Sequence, residues 1–226
     1  MNKNIPFFIL PLIAAVLLFP WRLSGHHADT MIAGAAFSLD FIENRNQWAG
    51  HVKYKAAIPG GELYVTDKGF TFSYYSEEDL DRIHHMEDAR EDVSNETVRG
   101  HAYTVHFVGA NTHAATRSEN KRSYYHNYFL GNDPSRWAGG VPLFEKVVQQ
   151  GIYDGIDLAI YSKEASLKYD FIVAPGKNPA QIRLQYDGVQ PVLNKNGNIT
   201  LHTSVNTVTE QAPYSYQVID GREVVV

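Results

Sequence analysis

Residues 151–176 read GIYDGIDLAIYSKEASLKYDFIVAPG, two runs in which apolar and polar side chains alternate with a period of two. Ile156, Leu158 and Ile160 share one face of an extended chain, with Asp157, Ala159 and Tyr161 opposite. Leu167, Tyr169, Phe171 and Val173 repeat the pattern against Lys168 and Asp170. That period belongs to a strand with one buried face. Pro175 and Gly176 end the second run by removing a ladder donor and supplying a flexible turn. The segment reads as a β-hairpin with a five-residue loop over 162–166, where the lack of Gly or Asn leaves the turn type open.

Similar short runs recur along the chain. Residues 52–57, 62–66 and 70–75 are rich in Val, Tyr and Phe and are separated by Pro59-Gly60-Gly61 and Asp67-Lys68-Gly69, as in an antiparallel meander. Strand pattern returns at 101–108, followed by a polar loop over 109–123 and a strong turn at Gly131-Asn132-Asp133-Pro134. Ile182, Leu184 and Tyr186 alternate, and the Asn196-Gly197 pair is the best cue in the chain for a two-residue hairpin turn. Ile199, Leu201 and Thr203 make the returning strand, and Tyr214, Tyr216 and Val218 lead to Asp220-Gly221. The fold expected is all-β, an antiparallel β-sandwich or two packed β-sheet lobes spanning 37–226. No internal repeat of propeller or solenoid length is visible.

One stretch departs from this pattern. Residues 76–96 hold nine acidic side chains against Arg82 and Arg90. The three-residue spacing of Leu80, Ile83 and Met86 drifts around a helix and makes only a weak stripe. An exposed acidic insertion at about 76–98 is expected, with at most one or two helical turns.

Residues 1–36 are laid out as an export signal or an N-terminal membrane anchor: Lys3 precedes an uncharged apolar run over 5–19 that is short for a spanning helix and is interrupted by Pro11. Either arrangement places the remainder outside the cytoplasm, secreted or at the cell surface. The absence of Cys excludes disulfides and thiolate chemistry, so stability has to come from packing. A net charge of −5 gives no basic footprint, and nucleic acid is discarded as a partner.

No Gly-x-Ser-x-Gly elbow, His-Glu-x-x-His pair or phosphate-cradling glycine loop is present. The adjacent histidines 26–27 and 84–85 would point to opposite faces of a strand and do not suit one metal, so no metal or cofactor is expected. Asp157 and Asp170 are candidates for an acid and base or for a hard cation, although strand alternation alone accounts for their placement. Trp48, Trp137, Tyr124 and Tyr125 are the candidate stacking platform for sugars, against the alternative that they fill the core or cap sheet ends.

A set of short motifs carries a family resemblance over 41–226: Phe41-Ile42-Glu43-Asn44 with Gln47-Trp48, Pro59-Gly60-Gly61, Gly69-Phe70-Thr71, His106-Phe107-Val108-Gly109, and Asn127-Tyr128-Phe129-Leu130-Gly131-Asn132. It continues through Gly155-Ile156-Asp157-Leu158, Leu167-Lys168-Tyr169-Asp170-Phe171, Pro175-Gly176 and Ala212-Pro213-Tyr214-Ser215-Tyr216-Gln217. In this order the motifs resemble an N-terminal β module of unknown function from secreted proteins of gliding bacteria, those with SBBP β-propeller repeats or gliding-motility-type C-terminal regions. Where that pattern has Gly, this chain has Asn46 and Asn206, the residue that best replaces Gly at positive φ, so tight turns are expected at both.

The resemblance implies a surface module whose partners are downstream domains of the same polypeptide or other surface proteins, and it brings no catalytic residues. The function expected is an exported structural or adhesive β module without catalysis. A glycan-binding module that takes polysaccharide is the alternative, and a glycoside-hydrolase-like enzyme is third. The run Val224-Val225-Val226 after Asp220-Gly221 is expected to be a strand cut off before its end and completed by residues beyond it.

Overall fold

The computed structural model describes residues 15–16 and 39–226, apart from 91, 164 and 165. The candidate signal or anchor therefore lies outside the described residues, except for the backbone of a two-residue strand, β1 (Ala15–Val16). Among the described residues no helix is long and apolar enough to cross a membrane.

The protein is predominantly antiparallel β. A meander of β2 (Phe41–Glu43), β3 (Val52–Ile58), β4 (Gly61–Thr66) and β5 (Gly69–Tyr75) leads through a helix, α1 (Glu77–Asp88), to β6 (Gly100–Phe107). A long ribbon follows, β7 (Ala115–Tyr128) paired with β8 (Ala138–Tyr153), and then the hairpin of β9 (Ile156–Lys163) and β10 (Ser166–Val173). Next, β11 (Leu184–Asp187) returns to pair with β6. A three-stranded sheet of β12 (Pro191–Leu193), β13 (Ile199–His202) and β14 (Thr207–Glu210) comes after it. The hairpin of β15 (Tyr216–Ile219) and β16 (Arg222–Val225) closes the described chain.

The main sheet runs β1-β10-β9-β8-β2-β3-β4-β5-β6-β11, with β7 on the other edge of β8. Strand β8 is where this sheet divides. Phe144 pairs with Lys121 of β7 on one edge and with Phe41 of β2 on the other, whereas Lys146 pairs with Glu119 of β7 and with Tyr161 of β9. The edge facing away from β7 thus passes from β2 to β9 within a few residues. Two lobes result, and their inner faces meet: Phe70 lies 5.3 Å from Tyr169 and Phe107 lies 5.7 Å from Phe171, edge to face in both cases. Alternation along each strand supplies this core, with Tyr54, Ala56 and Ile58 buried on β3, Phe70, Phe72 and Tyr74 on β5, and Leu167, Tyr169 and Phe171 on β10. Ile199, Leu201 and Val208 bring the three-stranded sheet onto the same core.

Several local expectations are corrected. Pairing in the β9–β10 hairpin continues to Lys163 and Ser166, so the loop is two residues rather than five. The polar stretch 109–123 is not all loop, because β7 starts at Ala115; a strand exposed along most of its length carries no apolar alternation to reveal it. The acidic insertion contains a helix of twelve residues. Its start is built by Ser76, whose Oγ accepts from the Asp79 amide at 3.2 Å, and by Glu77, Glu78 and Asp79, which complement the positive end of the helix dipole. Arg99 clamps that end back onto the sheet, donating to Asp79 from Nε at 2.8 Å and from Nη2 at 2.9 Å, and holds the Asp79 carboxyl well below its ordinary range.

The turn carrying Asn196-Gly197 spans five residues, with Gly197 at φ +85° and the Asn194 amide donating to the Asn198 carbonyl at 2.8 Å. Asn46 has φ +83°, as its replacement of Gly requires, but Asn206 has no positive φ. Its turn is closed by side chains instead: the Asn206 amide donates to Thr203 Oγ1 at 2.8 Å, and that hydroxyl donates to Asn206 Oδ1 at 2.7 Å. Strand β16 pairs along its length with β15, across a turn in which Asp220 and Gly221 have φ +50° and +75°, both positive as a type I′ turn needs.

Candidate ligand-binding face

The outer surface of the β7–β8 ribbon and of β3–β4 carries a line of rings. Tyr124, His126 and Tyr128 follow one another along β7, with centroids 6.5 and 6.2 Å apart. Trp48 meets Tyr128 edge to face at 5.4 Å. The indole is placed by the 44–49 turn, which Asn44 organises: its Oδ1 accepts from the Trp48 amide at 3.2 Å, and its Nδ2 donates to the Ala49 and Val52 carbonyls at 3.0 and 2.9 Å. Lys55 then extends the line, its Nζ 5.6 Å from the centroids of both Trp48 and Tyr64.

Fixed charge borders the rings. Asp40 accepts from Arg122 Nε at 2.7 Å and from the Tyr124 hydroxyl, and Arg122 also reaches Glu145 at 2.5 Å. Glu62 pairs with Lys55 and accepts from the Tyr64 hydroxyl. Those carboxylates raise the pKa of both phenols; for Tyr64 partial burial is the larger cause, and for Tyr124 the bond to Asp40 is. The strip therefore offers hydrophobic ring faces of fixed spacing, framed by charges already paired with one another. Such a surface can hold the C–H faces of a ligand by contact and the hydrophobic effect. Its charged side chains are committed to each other.

Of the sequence candidates, Trp48 and Tyr124 are brought together, through His126 and Tyr128. Trp137 and Tyr125 make no ring contact with the strip. Trp137 packs edge-on against Phe129 at 6.0 Å near the ribbon tip and donates from Nε1 to the Gly131 carbonyl at 3.2 Å. Asp157 and Asp170 sit on the β9–β10 pair, away from these rings. Asp157 accepts the Gly151 amide at 2.7 Å, and Asp170 accepts the Tyr161 hydroxyl at 2.6 Å. Each is already held by a partner within its own lobe.

Sequence reasoning missed a second concentration of polar chemistry, in the core. Glu210 on β14 is 4% exposed and accepts the Tyr186 hydroxyl at 2.6 Å and the Tyr169 hydroxyl at 3.5 Å. The sealed hydroxyls of Tyr74 and Tyr103 lie nearby without a well-formed hydrogen bond. Burial pushes the Glu210 carboxyl up from 4.5 to about 7, while the two tyrosine bonds oppose the shift. Its signal was in the alternation: Glu210 shares the core parity of Val208, an acid where the pattern calls for an apolar residue.

The model of a domain of unknown function, DUF7948, matches residues 41–226. The chain belongs to that family. The match spans the DUF7948 domain from β2 through β16, including both lobes, the ring strip and the Glu210 cluster. No curated protein and no solved structure matches it.

Proposed function

We propose that the DUF7948 domain is a non-catalytic adhesive module of an exported cell-surface protein, and that it adheres by laying polysaccharide along the Tyr124-His126-Tyr128-Trp48 strip. The observation that carries the reading is the strip itself: four rings in consecutive contact on an outer sheet face, continued by Lys55 and Tyr64. Tyr124 and His126 are exposed, while Tyr128 and Trp48 are half-buried beside them, and contiguous ring surface open to solvent marks binding sites. Export is supported by the layout of residues 1–36, and a surface location by the resemblance to the N-terminal modules of SBBP-repeat and gliding-motility proteins. Downstream domains of the same polypeptide, or neighbouring surface proteins, are its partners in this reading.

Affinity electrophoresis of the full chain through gels containing neutral polysaccharides tests it. Retarded migration is expected on at least one polymer, lost in Tyr128→Ala and with no reducing ends released. Migration unaffected by every polymer tested would refute adhesion through sugars. Turnover that survives purification and disappears in Asp157→Asn or Asp170→Asn would replace the reading with a hydrolase.

A further inference from the structure

Trp48, the last of the four rings in contact, also borders a cleft of about 290 Å³ lined by Glu43, Asn46, Lys53 and Thr116 among others. A second cleft, of about 360 Å³, is lined by Lys53, Asp67, Thr112, His113, Thr116 and Gln149. Lys53 and Thr116 border both, so the two adjoin and lead away from the indole along the seam between β3 and the start of β7.

The chemistry of these clefts is the reverse of the strip's. On the strip Lys55 and Arg122 are paired with carboxylates. In the clefts, among the described residues, Lys53 and Asp67 form no ion pair and the Thr112 and Thr116 hydroxyls form no hydrogen bond, although each lines open space. At the inner wall Gln149, 2% exposed, spends its amide nitrogen on the Thr66 carbonyl at 2.9 Å and leaves Oε1 without a partner. An unpaired buried acceptor is costly relative to a paired one. The wall is set in advance: Asn111 donates its amide to the Ile152 carbonyl at 2.8 Å and accepts the His113 amide on Oδ1 at 3.0 Å. The backbone that borders the clefts at 111–113 is therefore fixed in advance, while Lys53 and the threonine hydroxyls are left to orient toward a ligand.

We propose that the joined clefts form a hydrogen-bonding subsite for the end of a neutral glycan whose preceding sugar rings lie on the strip. This rests on the reading of the strip as a polysaccharide surface. Neutrality follows from the charges: Glu43 is paired with Arg45 at 3.2 Å, which leaves Lys53 and Asp67 as opposed charges in the lining, with the His113 imidazole beside them. Sugar hydroxyls suit each of them, accepting from the ammonium and donating to the carboxylate. A uronic acid would gain from Lys53 what it loses to Asp67. The strip holds sugar faces and the clefts read hydroxyls at one end, so affinity and end selection come from different residues.

Isothermal titration of the full chain with cellohexaose, laminarihexaose and xylohexaose, and with their monosaccharides, is the test, with melting temperatures confirming that each variant folds. Lys53→Ala and Thr116→Val are each expected to weaken the bound hexasaccharide about tenfold, as loss of a charge-assisted or buried hydrogen bond does. Tyr124→Ala, remote from the clefts, should weaken it without changing the preference among the three sugars, whereas the cleft variants should flatten that preference. If Tyr124→Ala weakens binding and neither cleft variant does, the subsite is wrong and the strip reading stands. If no hexasaccharide binds, the strip reading fails and the subsite with it. Binding of glycine or a dipeptide that Lys53→Ala abolishes would assign the clefts to zwitterions and overturn the sugar class.

Discussion

Tyr186 and Tyr124 make the same bond, a phenol hydroxyl donating to a carboxylate, in opposite surroundings. Tyr186 donates to Glu210 in the core, where the groups that face the carboxyl are tyrosines from β5, β6, β10 and β11 and, among the described residues, no cation pairs with it. Tyr124 donates to Asp40 on the surface, where Arg122 pairs with the same carboxylate. Inside, the acid is raised to about 7 because charge is expensive away from water. Outside, ion pairing and solvent support the charge and leave ring faces for a ligand. One pair of residue types is therefore read as an element of stability in one place and of recognition in the other, and burial decides which.

The largest expected effect breaks the comparison from the inside. A carboxyl whose pKa is raised on folding stabilises fully below its unfolded value and loses that contribution as pH rises through the folded value. For Glu210 the loss runs from about pH 4.5 to pH 7 and amounts to about 3 kcal/mol, with stability flat above it on this account. Glu210→Gln should abolish that segment and leave the variant more stable than the parent above pH 7, as measured by urea unfolding across pH. An unchanged pH profile would show that Glu210 does not titrate as its surroundings demand. Asp79 acts in the opposite sense, since Arg99 lowers its pKa and its contribution is lost only as pH falls through the acid range. Comparison of the parent with Glu210→Gln separates the two.

Smaller effects sharpen the contrast. Tyr186→Phe removes a donor to a buried carboxylate and should cost about 1–3 kcal/mol above pH 7, less below it. Tyr124→Phe deletes the equivalent surface bond and should change stability by less than about 1 kcal/mol, the range of exposed polar pairs. Equal losses in the two variants, read by the same unfolding experiment, would mean that burial does not set the difference.

The division between legible and illegible sequence follows the same line. Alternation exposed the β9–β10 hairpin, the β3–β4–β5 meander and the all-β architecture, because a half-buried strand has to place its apolar residues every second position. It failed for β7, which is exposed along most of its length and needs no such pattern. For α1 the pairing of Ser76 with Asp79 three residues on was the available start signal, and it outweighed a weak apolar stripe. Trp48 and Tyr124 were legible as surface aromatics, but their union through His126 and Tyr128 depends on the register of β7 with β8 and on the 44–49 turn, which no local pattern encodes. Asp157 and Asp170 drew attention as acids, while the acid with unusual surroundings was Glu210, conspicuous only once β14 is known to face the core.

The central claim, that recognition lies on the outer ring strip and stability in the buried cluster, is tested most directly by one gel series: affinity electrophoresis of the parent, Trp48→Ala and Glu210→Gln proteins through neutral polysaccharide. The account predicts retardation of the parent, its loss in a Trp48→Ala protein that remains folded, and its retention in Glu210→Gln. Retardation that survives in Trp48→Ala, or that disappears in a folded Glu210→Gln protein, would contradict it.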